Sequence, residues 1–308
     1  MTKLAVSLPG IELKNPIMPA SGCFGFGEHF ATHYDLGLLG ALIIKSTTVE
    51  ERLGNPQPQY HHSGHRILNS VGLKNPGVAT VLSEKLPFLA KYDVPIIASV
   101  AGASEEDYVE MCQRISTAPN VKAIELNISC PNVKEGGVAF GTNPEVAARL
   151  TRLCKQATGL PIYVKLTPNV TDIVAIATAV EEAGADAISM INTLTGMAFN
   201  LESRQAVLGG VTGGLSGSSL KHIALRMVRQ VAEAVTIPII GIGVIETVDD
   251  VLEMLLAGAT AVQIGSANYA NPMICPELIN ALPQRMDELG IASIRDFNEE
   301  VKQLIKNK

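Results

Sequence analysis

Residues 161–192 read PIYVKLTPNVTDIVAIATAVEEAGADAISMIN. The apolar, β-branched run Pro161–Lys165 is followed by a turn, a helical pattern over Thr171–Ala183 and a second apolar run, Ala187–Asn192. Gly184 stands just after the helical pattern, where helices commonly end. Short apolar runs are typical of strands buried on both faces, and a helix is the usual connection between two parallel strands. The segment therefore predicts one βαβ unit of a parallel sheet.

The same unit recurs along the chain. The apolar runs are Ile17–Ser21, Ala41–Lys45, Pro95–Ser99, Ala123–Asn127, Pro161–Lys165, Ala187–Asn192, Pro238–Gly243 and Ala261–Ser266. Helical patterns between them include Thr142–Thr158, Thr171–Ala183, Ser219–Ala234 and Thr247–Ala257. Eight strands alternating with helices in 308 residues predict an α/β fold of the (β/α)8 TIM barrel type. An open doubly wound sheet is the alternative.

Polar or small residues end all eight apolar runs, namely Ser21, Lys45, Ser99, Asn127, Lys165, Asn192, Gly243 and Ser266. In a barrel, the carboxyl ends of the strands meet at one mouth, where active sites are built. Any strand has to end in some polar residue, but two lysines and two asparagines favour a barrel with a functional mouth.

The connections after the second and sixth strands, Ser46–Val94 and Thr193–Ile237, are longer than a loop and a helix require. We expect their extra segments to lie over the mouth as lids or binding loops. The stretch Lys3–Leu13, which turns at Pro9-Gly10, predicts a small hairpin outside the barrel. No linker or repeat divides the chain, so we expect one domain over residues 1–308.

The composition excludes several classes of protein. Hydrophobic residues make up 47% and charged residues 18%, which is typical of a globular chain. The net charge of −6, with only 7 Phe, 6 Tyr and no Trp, argues against nucleic-acid binding. The sequence has neither a signal peptide nor the roughly 18 consecutive apolar residues of a membrane span. We therefore expect a cytoplasmic protein that binds neither nucleic acid nor membrane.

The cysteines and histidines predict neither a disulfide framework nor a metal site. The five cysteines are odd in number and widely spaced, at Cys23, Cys112, Cys130, Cys154 and Cys275. Such spacing does not suit an iron–sulfur cluster or structural zinc. The histidines of the His61-His62-x-x-His65 motif have no nearby carboxylate to complete a ligand set.

Cys130 is nevertheless a candidate nucleophile or base. It follows the fourth predicted strand and leads into the glycine-bearing segment Val133–Gly141, a loop that could close over a ligand. A free thiol has a pKa of about 8.5, so a catalytic role requires nearby cations or substrate. The alternative is a small residue that only packs, and we interpret the other four cysteines in that way.

Five motifs resemble those of the dihydroorotate dehydrogenases in order and spacing, over nearly the whole chain. They are Lys45-Ser-Thr-Thr48, Gly54-Asn-Pro-Gln-Pro58, Asn69-Ser-Val-Gly-Leu73, Asn127-Ile-Ser-Cys-Pro-Asn132 and Val211-Thr-Gly-Gly-Leu-Ser-Gly217. The cysteine at position 130 resembles class 1 of that family, because class 2 has serine there. Asn192-Thr-Leu-Thr-Gly-Met197 and the stretch 212–217 resemble the catalytic subunit of class 1B.

The resemblance implies oxidation of (S)-dihydroorotate to orotate in de novo pyrimidine biosynthesis. It makes Cys130 the base that removes the proton from ring carbon 5, while a hydride passes from carbon 6 to FMN, bound once per chain. A partner subunit with FAD and a 2Fe–2S cluster is implied, with NAD as final acceptor. The implied assembly is a homodimer of this chain flanked by two such subunits.

The resemblance also implies which residues bind each ligand. For FMN they are Ser21, Lys45, Ser46, Ser99, Asn127, Lys165, Ile191, Gly217, Gly243, Val244, Gly265 and Ser266. For the substrate they are Lys45, Asn69, Ser70, Val71, Gly72, Leu73, Asn127, Asn192 and Thr193. A lysine such as Lys165 near the flavin N1 and O2 atoms would stabilise the negative charge that grows there.

Three positions depart from the family pattern. Val244 stands where a second glycine is usual, Ser99 where asparagine is common, and Gln59 where arginine is frequent. We expect Val244 to narrow the room near the phosphate, and Ser99 to make a shorter or water-bridged flavin contact.

Three other functions stay open at this point. The first is the class 1A enzyme, a homodimer that passes electrons to fumarate. The second is a dihydropyrimidine dehydrogenase-like barrel, which shares the Asn-x-Ser-Cys-Pro-Asn loop. The third is a non-catalytic barrel that binds a phosphorylated ligand.

Overall fold

The computed structural model describes residues 3–64, 66–128, 140–243 and 245–307. Its strands are β1 (Val6–Leu8), β2 (Ile11–Leu13), β3 (Ile17–Pro19), β4 (Leu42–Thr47), β5 (Tyr60–Ser63), β6 (Arg66–Asn69), β7 (Ile96–Val100), β8 (Val121–Asn127), β9 (Ile162–Lys165), β10 (Ala187–Met190), β11 (Leu194–Gly196), β12 (Phe199–Asn200), β13 (Gln205–Ala206), β14 (Gly213–Gly217), β15 (Ile239–Gly243) and β16 (Ala261–Ile264). Its helices are α1 (Gly77–Thr80), α2 (Leu86–Leu89), α3 (Glu105–Ile115), α4 (Pro144–Ala157), α5 (Ile173–Glu182), α6 (Lys221–Ala232), α7 (Val248–Leu256), α8 (Ala267–Ala270), α9 (Ile274–Glu288) and α10 (Ile294–Lys306).

Eight of these strands form the parallel sheet β3-β16-β15-β10-β9-β8-β7-β4. The edge strands β3 and β4 meet at a seam, where the Gly40 N–H donates to the Ile17 carbonyl at 3.0 Å. A Cβ on Gly40 would lie 2.1 Å from the Asn15 carbonyl oxygen, so the seam requires glycine. The (β/α)8 barrel is thus confirmed, and the open doubly wound sheet is wrong.

All eight predicted strands are present, but three end earlier than expected. The first ends at Pro19, the sixth at Met190 and the eighth at Ile264, so Ser21, Asn192 and Ser266 lie beyond the strands. The four predicted helices are also present, as α4 to α7. Side chains cap several of them, as in α7, where Thr247 and Asp250 form a capping box.

The N-terminal hairpin is confirmed and covers the amino-terminal end of the barrel. Strands β1 and β2 pair antiparallel, with Val6 opposite Leu13. The Tyr163 hydroxyl, from the barrel strand β9, donates to the Pro9 carbonyl at 2.7 Å. This contact closes the barrel at the end away from the predicted mouth.

The two long connections fold together into one antiparallel sheet, β11-β14-β6-β5. Strand β6 belongs to the first connection and β14 to the second, and they pair with Asn69 opposite Gly214. We call this four-stranded unit the mouth sheet, because its residues and the barrel's carboxyl ends line the same cavity. The prediction of extra segments over the mouth is therefore confirmed.

Among the described helices, none is both long and apolar enough to cross a membrane.

Candidate active site

A cavity lies between the barrel mouth and the mouth sheet. Sixteen of the residues predicted to bind FMN or substrate line it, namely Ser21, Lys45, Ser46, Asn69, Val71, Gly72, Leu73, Asn127, Lys165, Ile191, Asn192, Thr193, Gly217, Gly243, Gly265 and Ser266. They come from barrel ends and from both long connections, which are far apart in sequence. The fold thus gathers these residues around one space.

Two predicted residues lie behind the cavity wall. Ser99 is fully buried, and its hydroxyl shares a hydrogen bond with the Ser46 hydroxyl at 2.7 Å. The Ser70 hydroxyl accepts from the Asn55 side-chain amide at 2.9 Å. Neither Ser99 nor Ser70 lines the cavity. Cys130 and Val244 lie outside the described residues.

Residues that the sequence analysis missed complete the wall. They are Ala20, Gly22, Cys23, Tyr60, Ile67, Leu215, Ser216, Leu220, Ala224, Ile242 and Tyr269. Several belong to the mouth sheet, which the sequence did not predict to be a sheet. For Cys23 the sequence does contain a signal of a place at the mouth, because this residue follows the end of a predicted strand by only two residues.

The expectation that Cys23 is only a packing residue is wrong. Its side chain lines the cavity, and the Tyr269 hydroxyl beside it donates to the Gly22 carbonyl at 3.1 Å. Burial raises the pKa of the Cys23 thiol, although a hydrogen bond with Tyr269 and the charges of Lys165 and Lys45 act in the opposite direction. Cys23 is therefore a neutral thiol at physiological pH, and a poor nucleophile.

A chain of hydrogen bonds fixes the polar side chains at the centre of the site. The Asn127 amide donates to the Ser46 hydroxyl at 2.9 Å, and the Asn192 amide donates to Asn127 Oδ1 at 3.4 Å. Asn192 Oδ1 in turn accepts from the Thr193 backbone N–H at 2.8 Å. The Tyr108 hydroxyl donates to the Asn127 carbonyl at 2.8 Å. These bonds fix the orientation of the Asn127 and Asn192 side-chain amides. Amides held in this way suit the recognition of a ring whose donors and acceptors have fixed positions.

Lys45 and Lys165 make the cavity attractive to anions. Burial lowers the pKa of Lys45, and the charge of the nearby Lys74 lowers it further. Among the described residues, no carboxylate forms an ion pair with Lys45. Lys165 is 4% exposed, and its Nζ lies 3.7 Å from Glu125 Oε1. A buried ammonium without a carboxylate partner is stabilised by an anionic ligand.

Three glycines, Gly217, Gly243 and Gly265, line one side of the cavity. Gly217 has φ +118° and precedes the turn that leads into α6. A Cβ on Gly265 would meet no atom within 4 Å, and one on Gly243 would lie 2.9 Å from the Ala224 Cβ. Backbone N–H groups at the last barrel strands and a helix N-terminus are a common phosphate-binding arrangement.

The loop that carries the predicted substrate residues is tied down by Gln59. Its side-chain amide nitrogen donates to the Asn55 backbone carbonyl at 2.6 Å, and its backbone carbonyl accepts from the Ser70 N–H at 2.8 Å. Leu73, at the end of the loop, has φ +57°, which is uncommon for a residue other than glycine. Gln59 thus supports the loop from behind the cavity wall.

The described histidines do not form a metal site. His61 and His62 lie on β5, and His65 lies outside the described residues. Nowhere in the described ranges do three His, Cys, Asp or Glu side chains come close enough to hold a metal ion.

Fold and cavity together define a class: a (β/α)8 barrel with a cationic, glycine-lined ligand site at its carboxyl-terminal mouth. A sequence model of the family "Dihydroorotate dehydrogenase" matches residues 3–286. The chain belongs to the dihydroorotate dehydrogenase family.

Curated relatives cover nearly the whole chain. The protein named "Dihydroorotate dehydrogenase B (NAD(+)), catalytic subunit" from Enterococcus faecalis is 59% identical over 301 residues, 97% of this chain and 96% of that protein. The protein of the same name from Listeria welshimeri is 57% identical over 300 residues, 97% of this chain and 99% of that protein.

A solved structure shares the fold. The crystal structure of DHODH in complex with ferulenol from Eimeria tenella superposes with a TM-score of 0.79 at 22% identity, and covers 96% of this chain and 87% of that chain.

Proposed function

We propose that this chain is the FMN-binding catalytic subunit of a class 1B dihydroorotate dehydrogenase, and that residues 1–308 act as one domain. It oxidises (S)-dihydroorotate to orotate in pyrimidine biosynthesis, with NAD as final acceptor. The family match and the names of the relatives support the reaction. The observation that carries the proposal is the cavity in which the buried Lys165, the half-buried Lys45, three asparagines and three glycines meet.

The described residues fit FMN. The backbone at Gly217, Gly243 and Gly265, which line the cavity, would hold the phosphate through its N–H groups. Lys165, at the floor, would face the N1 and O2 edge of the flavin ring. Bound FMN supplies the acceptor for the hydride that leaves ring carbon 6 of the substrate.

The substrate side of the site is built from cationic and amide groups. Lys45 would bind the carboxylate of dihydroorotate, whose charge offsets the cost of burying that ammonium. Asn69, Asn127 and Asn192 would hold the amide edges of the ring, and their hydrogen bonds to the protein fix their orientation. We propose that Ser99, which does not line the cavity, acts through its hydrogen bond with Ser46.

Cys130 is the proposed base, which removes the proton from ring carbon 5 onto its Sγ atom. It lies outside the described residues, three positions beyond Asn127, a cavity residue. This role requires the thiolate form of the side chain. Its neighbours Ser129 and Asn132 also lie outside the described residues.

The name "catalytic subunit" in the relatives implies a partner subunit. We propose that this partner carries FAD and a 2Fe–2S cluster, and that two copies flank a homodimer of this chain in the cytoplasm. The wide spacing of the cysteines supports a cluster held by another chain, because a 2Fe–2S site needs several closely placed thiolates.

The test begins with the visible spectrum of the purified chain. We expect bound FMN, and loss of its absorbance when dihydroorotate is added without oxygen. A colourless protein that binds no added FMN contradicts the proposal. NAD-dependent turnover only with the partner indicates class 1B, whereas fumarate-dependent turnover by the isolated chain indicates class 1A.

Cys130→Ala tests the base. We expect the variant to bind FMN as the wild type does, and its reduction by dihydroorotate to slow by about 10²-fold or more at neutral pH, because a positioned base contributes 10²–10⁴-fold. Cys112→Ala is the control, since this fully buried thiol lies on α3, away from the cavity. Reduction of Cys130→Ala at the wild-type rate refutes the assignment.

A further inference from the structure

A fully buried carboxylate lies inside the barrel beneath the cavity. Glu125 is on β8, and its side chain is 0% exposed. Carboxylates are almost never fully buried unless a partner compensates their charge. Glu125 does not line the cavity, so the proposed chemistry does not use it.

The two carboxylate oxygens of Glu125 have different surroundings. Oε2 accepts a hydrogen bond from the Gln263 amide at 2.7 Å. Gln263 is on β16, which is not a neighbour of β8 in the sheet, so this bond crosses the barrel interior. Oε1 lies 3.7 Å from the Lys165 ammonium, and within the described ranges no hydrogen-bond donor reaches it.

Lys165 depends on Glu125 in the same way. Its side chain is 5% exposed, and Glu125 is the carboxylate that pairs with it among the described residues. The distance of 3.7 Å is too long for a hydrogen bond, so attraction between the charges joins the two groups. Because the Gln263 amide anchors the carboxylate from the other side, the ammonium is drawn toward a fixed point.

We propose that Glu125 is the positioning residue for Lys165. It supplies the counter-charge of the buried ammonium and holds it at the cavity floor, so that Lys165 faces the flavin edge. The part that concerns flavin rests on the proposed function. The competing explanation is that Glu125 only stabilises the barrel core through Gln263.

The test is a double-mutant cycle on the apoprotein with Glu125→Gln, Lys165→Met and the double variant. Each single variant leaves one buried charge unpaired, so we expect its melting temperature to fall by about 5 °C or more. The double variant buries no charge at this place and should recover most of that loss. Ser189→Ala is the control, because this buried serine pairs with Lys165 in register but carries no charge. We expect it to melt within about 1 °C of the wild type, since it loses no charge.

The reduction potential of bound FMN separates positioning from simple charge compensation. If Glu125 holds Lys165 in place, Glu125→Gln lets the ammonium move away, and the potential falls in the direction that Lys165→Met causes. In the Lys165→Met background no ammonium remains to be displaced, so Glu125→Gln should not lower the potential further. A rise in potential in Glu125→Gln means that Lys165 stays in place unaided, and overturns the proposal.

The remaining outcomes are also decisive. Additive losses of melting temperature in the double variant overturn the proposal, as does a double variant that folds no better than Glu125→Gln. Coupling in the apoprotein, combined with wild-type FMN affinity and potential in Lys165→Met, supports the ion-pair role of Glu125 and refutes the proposed flavin contact of Lys165. The two failures are therefore distinguishable.

Discussion

Gly214→Ala should damage the substrate site while leaving the flavin site intact. Gly214 lies on β14, opposite Asn69 on β6, and its carbonyl accepts from the Asn69 amide at 3.1 Å. A Cβ at this position would lie 2.1 Å from Thr193 Oγ1 and 2.7 Å from Thr193 Cβ. Asn69 and Thr193 are both proposed substrate residues, so one methyl group displaces two of them.

The size of the effect follows from the overlap. The 2.1 Å approach is about 0.9 Å short of 3.0 Å, a distance below which real Cβ contacts essentially never occur. Either Thr193 or strand β14 therefore has to move by roughly 1 Å. A displacement of this size in a binding site costs on the order of 10²-fold, or about 2.7 kcal/mol.

The assay is titration of the FMN-loaded protein with orotate, together with kcat and KM for dihydroorotate. We expect about a 100-fold weaker orotate affinity, and an FMN affinity within twofold of the wild type. Gly159→Ala is the matched control, because a Cβ there meets no atom within 4 Å and its φ is not positive. Wild-type orotate affinity in Gly214→Ala would refute the placement of the mouth sheet against the substrate.

Two further predictions concern single side chains. Burial lowers the pKa of Lys45 below its unfolded value, so the folded chain binds this proton less tightly, and apoprotein stability rises with pH between the folded-state pKa and 10.5. In the Lys45→Met variant we expect this rise in stability to be absent and the melting temperature at pH 7 to exceed that of the wild type. We also expect it to bind orotate about tenfold or more weakly. Thermal unfolding from pH 7 to 10 and an orotate titration measure these effects. Tyr108→Phe removes the 2.8 Å hydrogen bond to the Asn127 carbonyl but keeps the ring contact with Phe140 at 5.5 Å. We expect the free energy of unfolding, measured with denaturant, to fall by about 1 kcal/mol. We also expect slower flavin reduction and an unchanged FMN affinity. An unchanged free energy of unfolding together with an unchanged reduction rate would contradict the prediction.

The barrel was predictable because its strands are buried on both faces and therefore stand out as apolar runs. The mouth sheet was not, because its strands lack that signal. Strand β5 is largely exposed, and β14 contains three glycines. Its pairing partner β6 lies more than a hundred residues away, so no local pattern predicts the contact. For this reason Tyr60 was missed and the substrate side was found only through the family resemblance.

A strand end identifies the mouth but not which side chains face the ligand. Ser99 and Ser46 both lie at the ends of apolar runs. Ser46 lines the cavity, whereas Ser99 does not and shares a hydrogen bond with the Ser46 hydroxyl. Which of two neighbouring strand ends covers the other depends on strand stagger, and a single sequence does not contain that quantity. The structure therefore places Ser46, and not Ser99, in the cavity wall.

Glu125 was predictable in principle from strand periodicity. Side chains two apart on a strand share a face, so Glu125 points into the barrel if Asn127 points into the mouth. Strands β8 and β9 pair with Lys165 beside Asn127, and Glu125 lies two residues before Asn127 on β8. A carboxylate on the inward face of a buried strand then requires a cation, and Lys165 is within reach. The charged residue that interrupts a buried strand is therefore itself a sign of the ion pair beneath the site.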